Sequence, residues 1–198
     1  MFDRSFLARP AVEVAPELLG SHLVAGEVVL RITEVEAYLG VGDDPGSHSF
    51  RGKTPRNSVM FGEPGHLYTY FTYGMHVCAN VVCSPAGTSS AVLLRAGEIV
   101  EGRGIAAMRR TTSRTPADLA RGPARLTVAL GITLADGGTD LAAGPLRLEM
   151  SAAPSTFSTG PRTGVSGPGG TDAYPWRFWL PGDPTVSPYK AHAPKKRS

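Results

Sequence analysis

Glu36 and Tyr38, at the end of RITEVEAYLG, are the first residues of this chain whose types and spacing suit chemistry. Two more rings follow, His48 in a Gly/Ser-rich loop and Tyr70 in HLYTYFTYG, with the basic run Arg51, Lys53 and Arg56 between them. A carboxylate can take a proton from water and stabilise a positive charge developing on a sugar. Electron-rich rings attract flat, cationic partners. Clustered Arg and Lys suit phosphate. Together these parts can hold an extruded nucleobase and hydrolyse the bond behind it.

The elements that must position them follow from periodicity. Val28 to Tyr38 reads as a strand, joined through Ala25-Gly26-Glu27 to a first strand, His22 to Ala25. Alternation puts Leu30, Ile32, Glu34, Glu36 and Tyr38 on one face. Glu34, nearer the apolar residues, is expected to be paired or at the rim. Arg95 sits in an apolar strand, AVLLRA, and a buried charge needs a partner; Glu36 and Glu34 both qualify. Leu67 to Thr72 and Met75 to Val82 form a hairpin about Tyr73-Gly74. A Tyr at that tip serves either as a protruding probe or as a lid over its own hairpin. The long stretch from Gly40 to Gly65 is loop-like, and such loops in compact domains are usually functional.

Elsewhere, Pro10 to Leu19 is a helix with Gly20 as its cap. Gly104 to Arg110 and Gly122 to Leu130 are further helices, the latter stopped by Gly131. Leu146 to Met150 and Trp176 to Leu180 are strands. The intervening STFSTGPRTGVSGPGGTDAYP, containing Arg162, is either an anion-binding run of backbone amides or simply a mobile loop.

At 198 residues, 41% hydrophobic and 19% charged, the chain suits one globular α+β domain with a sizeable core. Its 24 Gly and 17 Pro imply many loops. The net charge is only +3, but cations cluster at 51–56, at Arg109, Arg110 and Arg114, and in the tail at Lys190, Lys195, Lys196 and Arg197. Each cluster is either a phosphate-contacting patch or a solvated surface. Cys78 and Cys83 point to opposite faces of one strand and are not expected to pair. The five His show no metal-ligand spacing, so no metal is expected. MFDRSFLARP has no apolar signal core and no run is long enough to span a membrane, so a cytoplasmic protein is expected, nucleoid-associated if bacterial.

At EVEAYLG, HSFRGKTPRNSVMFGEPGHLYTYFTYGMHVCAN and AVLLRAGEIVEG the chain resembles the alkyladenine (3-methyladenine) DNA glycosylase family. GPARLTVALGI, PRTGVSG and WRFWLPGDPTVS are similar to its later segments, so the resemblance runs from about Leu7 to Ser187, leaving 188–198 as a basic tail. It implies a single domain with a curved antiparallel sheet, short helices, long loops and a protruding hairpin. The implied activity is monofunctional excision of alkylated purines, with hypoxanthine as a further substrate, from double-stranded DNA by a monomer using no cofactor. By the same resemblance Glu36 is the general base, with Arg95 beside it. Tyr38, His48 and Tyr70 wall the base pocket, and Asn80 opposes the amino group of guanine. Tyr73 fills the hole left in the duplex. Lys53, Thr54, Arg56, Met60, Arg162 and Ser166 face DNA. His76 stands where animal members carry a phenol.

Two other readings are open to the sequence. A non-catalytic nucleic-acid-binding module would keep the basic surface while Glu36 and Arg95 were dispensable. A hydrolase of free nucleosides would need neither the Tyr73 tip nor the basic loop.

Overall fold

The computed structural model describes residues 3–72 and 74–193. Tyr73 and the tail residues Lys195, Lys196 and Arg197 lie outside the described residues. Two short helices, α1 (Arg4–Leu7) and α2 (Ala11–Leu18), precede a hairpin of β1 (His22–Ala25) and β2 (Val28–Tyr38). A second hairpin, β3 (Leu67–Thr72) and β4 (His76–Cys83), leads into the long β5 (Ser90–Glu101). Helices α3 (Arg103–Arg109) and α4 (Pro123–Leu130) come next, and β6 (Leu146–Glu149), β7 (Ser158–Gly160) and β8 (Arg177–Trp179) complete the set.

The strands build one curled, wholly antiparallel sheet in the order β3-β4-β5-β2-β1-β6, with β8 added to β2 and β7 to β8. One face is covered by α2, through Val14, Ala15 and Leu18, and by α4, through Leu126, Ala129 and Leu130. These apolar positions recur at helical spacing, so each helix buries one stripe on the sheet. The αL backbone of Gly131 (φ 74°) ends α4, as expected. At α2 the expectation needs a correction. Leu19 is already extended, and Gly20 (φ 84°) lies one residue further on, turning the chain so that its N–H bonds to Ile32.

Strict alternation along β2 fails. Leu30 and Ile32 pack in the main core, but so do Val35 and Ala37. The register shows why: Ile32 pairs with Gly97, Glu34 with Ala96 and Val35 with Leu94, leaving Thr33 of β2 and Arg95 of β5 unmatched. These paired bulges reverse the facing of both strands. Glu34, Glu36 and Tyr38 therefore lie opposite Leu30 and Ile32, not beside them. Gly97 permits the close approach, because a Cβ there would lie 2.4 Å from the Arg31 carbonyl oxygen.

The 155–175 stretch is also not all loop, since β7 joins the sheet through β8. The Gly40–Gly65 loop is tied down by two buried side chains. Asp44 accepts from the amides of Leu39 and Gly46, and Asn57 bonds to the backbone of His48, Gly52 and Thr54. Cys78 and Cys83 are free thiols; Cys83 belongs to the core, whereas Cys78 faces the cavity described below. Among the described residues no helix is long and apolar enough to cross a membrane.

Candidate active site

The sheet face turned away from the helices carries a cavity of about 300 Å³. Its floor is a row running across four strands, in which Tyr68 pairs with Asn80, Asn80 with Leu93, and Leu93 with Glu36. Residues in register share a face, so all four side chains meet there. Two loops wall it, one with Gly46, Ser47 and His48, the other with Thr163 to Ser166.

Glu36 is fully buried at this floor. Its Oε1 accepts from the Thr163 amide at 2.7 Å and lies 3.3 Å from Arg95 Nη1. Its Oε2 accepts from the Tyr38 hydroxyl at 2.8 Å. Burial, and next the Glu36 charge, push the Tyr38 phenol well above its ordinary value, so it stays a donor. Both carboxylates compete for Arg95. Its Nε donates to Glu34 at 2.8 Å, while Nη1 approaches Glu36, so both partners named from the sequence are engaged. Burial alone would lower the Arg95 value, but the charges of Glu36 and Glu34 outweigh it and hold the guanidinium charged.

Glu34 is neither at the rim nor open. Its oxygens accept from Arg95, Arg177, and both the amide and hydroxyl of Ser187. Burial opposes its charge, yet Arg95 and Arg177 together hold it below the usual carboxylate value. Four donors engage it and it does not line the cavity, so it is not offered to substrate.

Tyr38, His48 and Tyr70 all line the cavity, and Tyr68 lines it with them. His48 sits edge-on to Tyr70, centroids 4.5 Å apart, and its Nδ1 is 3.2 Å from the Tyr68 hydroxyl. Partial enclosure and the Arg56 charge lower the His48 value, favouring neutral imidazole. Tyr68 was not singled out from the sequence, although its two-residue spacing from Tyr70 marked it as sharing that face. Asn80 is fixed by donating Nδ2 to the Tyr68 carbonyl at 3.0 Å.

Of the residues assigned to a DNA-facing surface, Lys53, Thr54, Arg56 and Ser166 are exposed. Met60 is not: at 2% exposure it is a wall of the cavity, packed with Tyr68, Val82 and Ala91. Arg162 is a second correction, being fully buried. Its Nη1 and Nη2 each donate to Asp44 at 2.6 Å, Nη1 also to the Ala37 carbonyl, and Nε and Nη2 to the Gly169 carbonyl. All five N–H groups are thus spent, and none remains for a phosphate. Removing one partner of such a pair costs about 3–5 kcal/mol, because the other charge is left buried.

Comparison with known proteins gives the family. Residues 5–184 match the family described as methylpurine-DNA glycosylase (MPG). A protein of Leifsonia xyli subsp. xyli, named as a candidate 3-methyladenine DNA glycosylase, is 63% identical over 196 residues, covering 95% of this chain and 92% of its own. One of Streptomyces avermitilis with the same name is 56% identical, covering 98% and 94%. Another of Mycobacterium tuberculosis is 48% identical, covering 93% and 92%. The chain belongs to the methylpurine-DNA glycosylase family, hydrolases of N-glycosyl bonds whose substrate is DNA.

Proposed function

We propose that this protein, acting as a monomer, flips alkylated purines such as 3-methyladenine out of duplex DNA and hydrolyses the glycosidic bond with water activated by Glu36. The observation that carries the reading is the acceptor count on Glu36. A carboxylate offers about four lone-pair directions. Among the described residues Thr163 and Arg95 address Oε1 and Tyr38 alone addresses Oε2, which keeps one direction for a water. That water would attack the anomeric carbon while Glu36 takes its proton. The C–N bond pair leaves with the base, and a cationic alkylpurine departs neutral. No general acid is then required.

The rings supply selection. A cationic purine between Tyr38, His48 and Tyr70 gains about 0.5–2 kcal/mol of cation–π attraction. It also pairs poorly in the duplex and is extruded at lower cost. Asn80, locked onto Tyr68, cannot swing aside for the amino group of ordinary guanine. Lys53, Thr54, Arg56 and Ser166, all exposed, meet the backbone, while Tyr73 fills the vacated stack. Support for the last role is its sequence position between β3 and β4, two residues before exposed Met75.

Single-turnover base release from duplexes carrying one 3-methyladenine-type lesion or one hypoxanthine tests the reading. Wild type should release the alkylated base, with the neutral hypoxanthine slower, and Glu36→Gln should bind without releasing. Release by Glu36→Gln at the wild-type rate would overturn the base assignment.

A further inference from the structure

Among the described residues, two of the three groups that bond to Glu36 are delivered by elements anchored on one buried side chain, Arg162. Thr163, whose amide donates to Glu36 Oε1, is the next residue in the chain. Tyr38, whose hydroxyl donates to Oε2, has its ring under the guanidinium, 4.4 Å from carbon Cζ to centroid. The Ala37 carbonyl, between Glu36 and Tyr38, accepts from Arg162 Nη1 at 3.0 Å. The fork itself is held by Asp44, which also accepts from Leu39 and Gly46 and so ties in the loop that carries His48.

The space around the guanidinium is built to fit it. A Cβ at Gly46 would lie 2.5 Å from Arg162 Nη2, and one at Gly169 would lie 2.9 Å from the same atom and 2.5 Å from the Gly46 nitrogen. Neither residue has a positive φ, so both are needed for close approach and not for backbone freedom. With one face of Tyr38 taken by Arg162, a stacked base can use only the other.

We infer that the Arg162–Asp44 pair is a positioning unit for the reaction, setting the Tyr38 hydroxyl and the Thr163 amide against Glu36 and fixing which face of Tyr38 receives the base. It acts through those groups and touches neither water nor substrate. The inference rests on the reading of Glu36 as the base.

The test measures Arg162→Lys and Asp44→Asn in parallel, with single-turnover excision at saturating enzyme normalised to the folded fraction and lesion binding followed separately. Lys keeps the cation but cannot make the bidentate fork. Excision should fall by up to about 100-fold, the loss typical of a small misplacement of reacting groups, while lesion binding changes much less. A double-mutant cycle supplies a readout that a purely structural role would not move. In a Tyr38→Phe background, where the hydroxyl is already gone, Arg162→Lys should cost clearly less than in wild type. Wild-type rates in either folded variant, or additive losses in the cycle, would overturn the positioning role. If one variant does not fold, the other decides through the same cycle. No release by wild type itself would instead overturn the reading on which the inference rests.

Discussion

Glu34 and Glu36, two residues apart on β2, share one guanidinium, that of Arg95, yet of the two Glu36 alone lines the cavity. Glu34 is held by two arginines and by Ser187. The same side-chain chemistry is thus divided between holding the structure together and facing the cavity. Arg95 is the unmatched bulge residue of β5, so the irregularity that turns the carboxylates away from Leu30 and Ile32 also supplies their cation.

The two glutamates should therefore fail differently when neutralised. Glu34→Gln leaves Arg95 and Arg177 without their common carboxylate, and a loss of about 3–5 kcal/mol of stability is expected. Glu36→Gln leaves Arg95 bonded to Glu34 and should melt near wild type while excision collapses. Thermal melts alongside single-turnover rates separate the two; equal destabilisation by both would contradict the division.

Acid should reveal Glu34 in the wild type. Its folded value lies below the ordinary 4.5, with burial opposing and the charges of Arg95 and Arg177 prevailing. The folded state then binds fewer protons than the unfolded one as the pH drops below that ordinary value. Its contribution is present in full above the unfolded value and is lost as the pH falls through the folded one. Urea titrations from pH 6 downward, a range of about 3 units, should show a steeper acid loss for wild type than for Glu34→Gln.

Tyr38→Phe keeps the ring on Arg162 and removes the donor to Glu36 Oε2. A hydrogen bond to a charged group contributes about 1.5–3 kcal/mol, so excision should drop about 10- to 100-fold with lesion binding retained. An equal loss in binding would assign the hydroxyl to substrate recognition instead.

Salt dependence distinguishes surface cations from the buried one. Lys53→Ala and Arg56→Ala should each weaken binding to any duplex and reduce the slope of log K against log salt by about 1. Arg162→Lys retains a buried charge that meets no phosphate and should leave the slope unchanged. A reduced slope for that variant would restore Arg162 to the DNA interface.

Several features were legible in the sequence because they depend on neighbours close along the chain. The hairpins around Gly26 and Gly74, the glycine stop after α4, and the two-residue spacing of Glu36 and Tyr38 follow from local dihedral preference and strand period. The family resemblance added roles to particular residues, but burial and facing needed the fold. Period-two counting carried Glu36 onto the face of Leu30 and Ile32; the bulges at Thr33 and Arg95, created by pairing between distant strands, turned it to the other. Arg162 read as a surface cation in a glycine-rich loop, since nothing nearby in the chain announces Asp44, 118 residues away. Tertiary contact decided its role, because a guanidinium is stable in the interior only where a carboxylate and carbonyls converge on all its donors.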